Sequence, residues 1–381
     1  MKKIVTISEL GIIITGNTPP RSNPKLYGNY TPFIKATDIS ETEKYTYHPE
    51  EYYSEEGYNK YIKSLIPKGS TCVVTIGSIG KKMTMAHCDL FINQAMNAII
   101  PNENFDNEYV YYAVKNILPN IKMLDSGTAS GRENVSKSAF SKMQILIEDN
   151  IITQRRIAEI LSRYDSLIEN YQKQINLLEE SAQRLYKEWF VDLRFPGHEN
   201  TKIVDGVPEG WEKICLGELV CFKRGKIITK KEIIEGNIPV VAGGTEPAYY
   251  CNKSNTGNRV ITISASGANA GYTRMYFEKI WASDCSFIDC YMTNYFHFVY
   301  CYLIANKIAI DNLQKGAAQP HVYPKDINAL ALCCPHNDIL DSFEPKISYY
   351  FDLISLLQKQ IHKLFEARDR LLPKLMNGEF L

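Results

Sequence analysis

Two glycine-rich turns with cations beside them are the first stretches of this 381-residue chain that suggest chemistry. One is Gly77-Ser78-Ile79-Gly80-Lys81-Lys82, and the other runs from Ser264 to Gly271. A phosphate cradle needs two glycines with four residues between them, then Lys and Ser or Thr. Neither stretch has that spacing, so both read as strand-to-strand turns that need positive φ. Cys333-Cys334-Pro335-His336 suggests a metal, but adjacent cysteines do not easily reach one tetrahedral ion and no second pair stands at zinc-finger spacing. These cysteines read as core residues at a strand end. His87 and His321 stand alone. No nucleophile with a base, no carboxylate pair and no cofactor loop emerges, which argues against an enzyme and for no cofactor. What remains is a set of cations in polar loops: Arg21, Lys35, Lys81, Lys82 and Arg132 in the first half, and Lys223, Arg224, Lys226, Arg259, Arg274 and Lys315 in the second. Arg and Lys suit phosphate oxygens and guanine edges, so these are the candidate nucleic-acid contacts.

The elements that must position them are written twice. Ile157, Leu161, Tyr164, Ile168, Tyr171, Ile175, Leu178, Ala182, Leu185 and Trp189 recur at steps of four and three. That is the seam of a long helix packed along another helix. From Thr153 to Asp192 no Pro or Gly interrupts it. A second copy carries Phe343, Ile347, Tyr350, Ile354, Leu357, Ile361, Leu364, Leu371 and Leu375, with Arg368 as its one polar seam position. Shifting the first helix by 186 residues aligns the two without a gap, and Gln172-Lys173-Gln174-Ile175 meets Gln358-Lys359-Gln360-Ile361. The shift is close to half the chain, so one unit is repeated: a globular half, then a long helix.

The globular halves share an outline but little identity. Val5 to Leu10 and Trp211 to Leu219 open them. Strands are expected at Pro32–Ile39, Thr71–Ile76, Gln144–Ile147 and Arg259–Ile263, with short helices at Asp106–Leu118 and Phe296–Lys307. Lys223-Arg224-Gly225-Lys226 stands where Gly16 to Arg21 stands in the first half. Likewise the Gly267 turn matches the Gly77 turn, and Gly316–Lys325 matches Gly127–Lys137. The fold class is therefore α+β: two mixed α/β domains, 1–150 and 196–337, separated by two long antiparallel coiled-coil helices, 151–195 and 338–381. Net charge is zero, with 43 basic and 43 acidic residues. That excludes a histone-like binder but permits a local basic face. Ten scattered cysteines and no long apolar run fit a cytoplasmic chain with reduced thiols that makes no membrane contact.

The motifs together resemble the specificity subunit of type I restriction-modification systems. The resemblance covers the whole chain. It rests on Gln154-Arg155-Arg156-Ile157-Ala158-Glu159-Ile160-Leu161, on the Gln-Lys-Gln-Ile run, and on Arg370-Leu371-Leu372-Pro373-Lys374-Leu375-Met376-Asn377-Gly378-Glu379-Phe380. Gly210-Trp211 with Leu216-Gly217-Glu218-Leu219, and Gly16-Asn17-Thr18-Pro19 with Pro32-Phe33-Ile34, resemble the starts of target-recognition domains. The resemblance implies that each globular half reads one half of an asymmetric, split double-stranded DNA site. It further implies that the helices act as spacer and docking surface for two DNA adenine methyltransferase subunits, and that a helicase-nuclease subunit joins for restriction. A different class remains open from the residues alone: a coiled-coil scaffold whose globular halves bind proteins, which 25 tyrosines would also suit.

Overall fold

The computed structural model describes residues 2–127, 133–316 and 319–379. Arg132 lies outside them. The chain divides into two units, one of residues 1–172 with 360–381 and one of residues 173–359. Both boundaries fall inside long helices, so each unit holds a globular half, part of the first long helix and part of the second.

In the first unit a four-stranded antiparallel sheet runs in the order Gly11–Thr15, Met96–Pro101, Thr71–Val74, Met83–Met85. A three-stranded sheet follows the order Glu51–Tyr53, Tyr27–Ile34, Phe91–Ile92, its last pairing parallel. The edge pair Lys2–Thr6 and Gln144–Glu148 leads directly into the long helix. The second unit repeats this scheme: Lys223–Arg224, Cys285–Asp289, Val260–Ser264, Thr273–Tyr276, then Tyr249–Cys251, Ile238–Val241, Trp281–Ala282, and the pair Glu212–Cys215 with Ala331–Cys334. Central strands such as Thr71–Val74 and Val260–Ser264 are buried throughout, as β-branched runs covered on both faces should be. The stretch before Gly210 is more than a linker. Ile203–Val204 and Val207–Pro208 pair across Asp205 and Gly206, both at positive φ, the two-residue turn that matches strand twist.

The first long helix spans Ile151–Tyr186 and passes into a π-helical turn at Lys187–Val191. The second spans Asn337–Asn377 and stops at Gly378, whose φ of 81° lets its N–H reach the Leu375 carbonyl at 3.0 Å. The seam is present and lopsided. Leu161, Ile168, Ile175, Ala182 and Trp189 are buried, whereas Tyr164, Tyr171, Leu178 and Leu185 are only half-buried. Within the first unit, Ile157, Ala158 and Leu161 share one apolar core with Leu372, Leu375 and Met376, and Asp165 meets Arg368. Residue numbers rise on one helix as they fall on the other, so the pair is antiparallel there. In the second unit Tyr186, Trp189 and Phe190 surround Phe343, with Phe190 at 4.7 Å between ring centroids.

Short helices dock each globular half on these rods. In the first unit Asn107–Ile117 is capped by the Asp106 side chain on the Tyr109 N–H at 3.0 Å, while Gln154 of the long helix accepts from the Asp106 N–H at 2.9 Å. In the second unit Phe296–Ala305 has no side-chain cap of its own. Glu344 of the long helix takes that part, accepting from the His297 and Phe298 N–H groups at 2.9 and 3.0 Å.

Candidate nucleic-acid interface

Five backbone hydrogen bonds gather the same loops at one end of each four-stranded sheet. In the first unit the Gly16 N–H meets the Met96 carbonyl, Asn17 meets Ile92, Thr75 meets Ala95, Gly77 meets Glu133 and Val135 meets Thr75. In the second, Gly225 meets Cys285, Lys226 meets Ala282, Ala265 meets Asp284, Gly267 meets Pro320 and Val322 meets Ala265. The bridge from Ile76 to Asn134 recurs as Ser266 to His321. The loop equivalences read from sequence are therefore main-chain equivalences. Gly16 and Gly225 have no alternative, since a Cβ would stand 2.2 Å from the Ile92 oxygen or 2.3 Å from the Ser283 oxygen. The turn glycines Gly77, Gly80, Gly267 and Gly271 all have positive φ, as expected of turns rather than cradles.

On this shared scaffold the side chains differ. Thr15, Asn17, Ile76 and Asn134 in the first unit stand where the second has Arg224, Lys226, Ser266 and His321. In the first cluster Thr15 Oγ1 donates to Asn97 at 2.6 Å and Asn97 Nδ2 donates to Thr75 at 2.8 Å, a neutral chain of amide and hydroxyl groups. Thr18 donates to Gln94 beside it. In the second cluster Asp284 is the hub: Arg224 reaches it at 2.5 Å and the Ser266 hydroxyl donates to its other oxygen. Lys223 and Lys226 are exposed next to Arg224. His321 stacks on the exposed Tyr323 at 6.0 Å, giving this end cations interleaved with rings.

The candidate cations among the described residues fall into four groups. Lys81, Lys82, Lys223 and Lys226 make no ion pair with any described residue. Arg224 and Lys315 lie in the second cluster but hold acidic partners, Lys315 with Asp326 at 2.8 Å. Arg21 and Lys35 both meet Glu51, Arg21 at 2.7 Å and also over the Tyr27 ring at 4.7 Å. Lys35 pairs with Glu50 as well. The hydrogen bond to Glu50 holds the Lys35 pKa above its ordinary value. The last two lie away from the loops. Arg259 binds Asp352 of the second long helix and His297, whose ring in turn contacts Glu344 at 2.7 Å. Arg274 pairs with Glu246 at 3.0 Å and lies over Tyr276. Sequence reasoning missed Asp284, Ser266 and Gln94. The signal available was the two-residue spacing from Trp281-Ala282 and Phe91-Ile92, strands too short to show a period.

Among the described residues no group of three or more His, Cys, Asp or Glu could hold a metal, and no helix is long and apolar enough to cross a membrane. The chain is similar to the MjaIX specificity subunit of a type I restriction enzyme from Methanocaldococcus jannaschii, with 28% identity over 98% of this chain and 92% of the relative. A Mycoplasma genitalium protein described as a type I specificity subunit is 27% identical over 81% of each chain. The crystal structure of a type I restriction-modification S subunit from M. genitalium shares the fold, with a TM-score of 0.59, 19% identity, and coverage of 98% of this chain and 96% of that one. The family model for the type I restriction modification DNA specificity domain matches residues 2–180 and again 208–379. The repeat, the paired loop clusters and these matches agree: the chain belongs to the type I restriction-modification DNA specificity family, and it is the sequence-reading, non-catalytic component of such a system.

Proposed function

We propose that the two units read two different half-sites of one asymmetric, split DNA sequence, each through its own loop cluster. The observation that carries this is the exchange of side chains on a conserved main chain. A neutral Thr15–Asn97–Thr75 chain stands in one unit, where Arg224, Asp284 and Ser266 stand in the other. Side chains that present different donors and acceptors on one scaffold select different base edges. Lys81, Lys82, Lys223 and Lys226 supply phosphate contacts that set register. Arg224, Lys315 and Arg132 join them, whereas Arg259 acts as a strut between the second reader and its helix. The long helices keep a coiled-coil pairing along their length. They set the gap between half-sites and dock two adenine methyltransferase subunits, with a helicase-nuclease subunit added for restriction.

The test is to replace residues 1–150 with the corresponding domain of a relative of different specificity, assemble the methyltransferase and sequence the methylated sites. One half-site should change while the other half-site and the gap stay as they were. Alteration of both half-sites would end the modular reading.

A further inference from the structure

In the second unit a cavity of about 350 Å³ borders the edge strand Thr273–Tyr276, at a place that the first unit fills with its own chain. In the first unit the connection between Ile34 and Glu51 is long, and part of it lies along the sheet edge. The Met85 N–H donates to the Lys44 carbonyl at 2.8 Å, Thr84 Oγ1 donates to the same oxygen at 3.1 Å, and Thr46 donates to Thr84 at 3.2 Å. Lys44 is buried against the Tyr111 and Tyr112 rings, 5.3 and 5.0 Å from their centroids, and pairs with Glu108. In the second unit the matching connection, residues 242–248, is far shorter. The edge strand Thr273–Tyr276 therefore keeps an open side.

Strand alternation says which groups are on offer. Ser264 donates to the Tyr272 carbonyl, so Thr262 and Arg274 also face the ladder, and Thr273 and Met275 turn their main-chain groups outward. Met275 is the counterpart of Met85, and no described residue meets its N–H. Thr273 and Met275 both line the cavity, with Arg274, Tyr300, Phe351 and Glu179 as further walls. Tyr300 stands where the first unit has Tyr111, and it packs edge-on against Phe351 at 5.4 Å. Arg274 is tied to Glu246 and to the Thr245 carbonyl. Glu179 has no ion pair with any described residue, and loss of surrounding water raises its pKa. An open edge strand, an aromatic wall and an unpaired carboxylate together favour a polypeptide over DNA, whose phosphates Glu179 and Glu246 would repel.

We propose that this groove accepts an extended segment of a partner polypeptide, added as a fifth strand on Thr273–Tyr276, with a Lys or Arg directed at Glu179 beside the Tyr300 and Phe351 rings. The first unit's own Glu43–Tyr47 segment is the pattern for the occupant. None of the second unit's loop-cluster residues lines this groove, so it stands or falls independently of the half-site reading.

The experiment titrates the full chain with a fluorescently labelled peptide of residues 41–49, and with the same peptide carrying Lys44→Glu. The first should bind saturably and the second about tenfold more weakly, the size expected for loss of one charge-assisted contact. Glu179→Lys should reverse that order, because the variant groove then prefers the acidic peptide. DNA affinity, measured on the same samples, should be unchanged in Glu179→Lys. No saturable binding, equal binding of the two peptides by the native chain, an unreversed order in the variant, or displacement of the peptide by a DNA duplex would each overturn the proposal.

Discussion

The two units solve the same packing problem with opposite chemistry. Shifted by the repeat, Asp165 and Arg368 of the first unit correspond to Phe351 and Ala182 of the second. The first pair is a salt bridge of 2.5 Å, with Arg368 only 3% and Asp165 8% exposed. Tyr112 donates to the other Asp165 oxygen at 2.5 Å, and its counterpart in the second unit is the buried Cys301. Burial alone would lower the Arg368 pKa, but Asp165 and then Asp369 hold it above the ordinary value. At the same site in the second unit Phe351 stacks on the His297 ring at 5.3 Å, and Phe343, Phe190, Trp189 and Phe298 form a ring cluster where the first unit has Ile157, Met376, Leu375 and Tyr109. A buried ion pair is weak evidence of stability, yet breaking one side of it is costly. The comparison teaches that the charged junction is the one a single substitution breaks most severely.

Asp165→Ala leaves Arg368 buried without its partner and should remove about 3–5 kcal/mol of stability in chemical denaturation. Asp165→Phe with Arg368→Ala copies the second unit and should restore most of that loss. If the single substitution is silent, or the double one is worse, the two junctions are not interchangeable solutions.

The helix caps sharpen the same contrast at a smaller scale. Glu344→Ala removes both N–H acceptors from a helix with no cap of its own and should cost about 1–2 kcal/mol. Gln154→Ala leaves Asp106 in place and should cost about 1 kcal/mol, partly through the Glu148 carbonyl it also serves at 2.8 Å. Equal losses would show that the long helix holds both readers in the same way.

Lys115 gives the comparison a pH signature. Burial, and then the neighbouring Arg368 charge, push its pKa down to about 8, against the pull of Asp165 and Asp369; Lys44 adds to the push. Its counterpart in the second unit is Ile304. A lysine depressed in the folded state binds fewer protons there than when unfolded. Stability should therefore rise from about pH 8 toward pH 10, by less than about 1.4 kcal/mol per unit for a half-buried group. Lys115→Ile should flatten the rise. A slope that survives the substitution would assign it elsewhere.

The smallest effects belong to the loop cations. Lys223→Ala and Lys226→Ala should each weaken DNA binding across all sequences and reduce the salt slope by about 1. Lys81→Ala should do the same in the first unit. A change in sequence preference instead would move these residues from positioning to base reading.

Much of this was legible in the residues. The seam residues at sevenfold spacing are the buried ones, the repeat of 186 residues is a repeat of strand order, and Gly16 with Gly225 mark equivalent turns. These features are local or periodic, and local geometry leaves its trace in spacing. Arg368 could be picked out as a polar residue on an apolar seam. Its partner could not, because Asp165 lies off the four-three ladder and 203 residues away. Arg259 was read as a loop cation, yet its guanidinium is held by Asp352 through a contact 93 residues distant.

By itself, then, the sequence determined the doubled architecture, the helices and the turns, since backbone propensity and hydrophobic period act between near neighbours. Only the tertiary structure decided which charges are taken and which are open, and that Glu43–Tyr47 closes one sheet edge while the other is left bare. Those outcomes depend on long-range partners brought within a few ångströms, and no spacing along the chain encodes a distance across it.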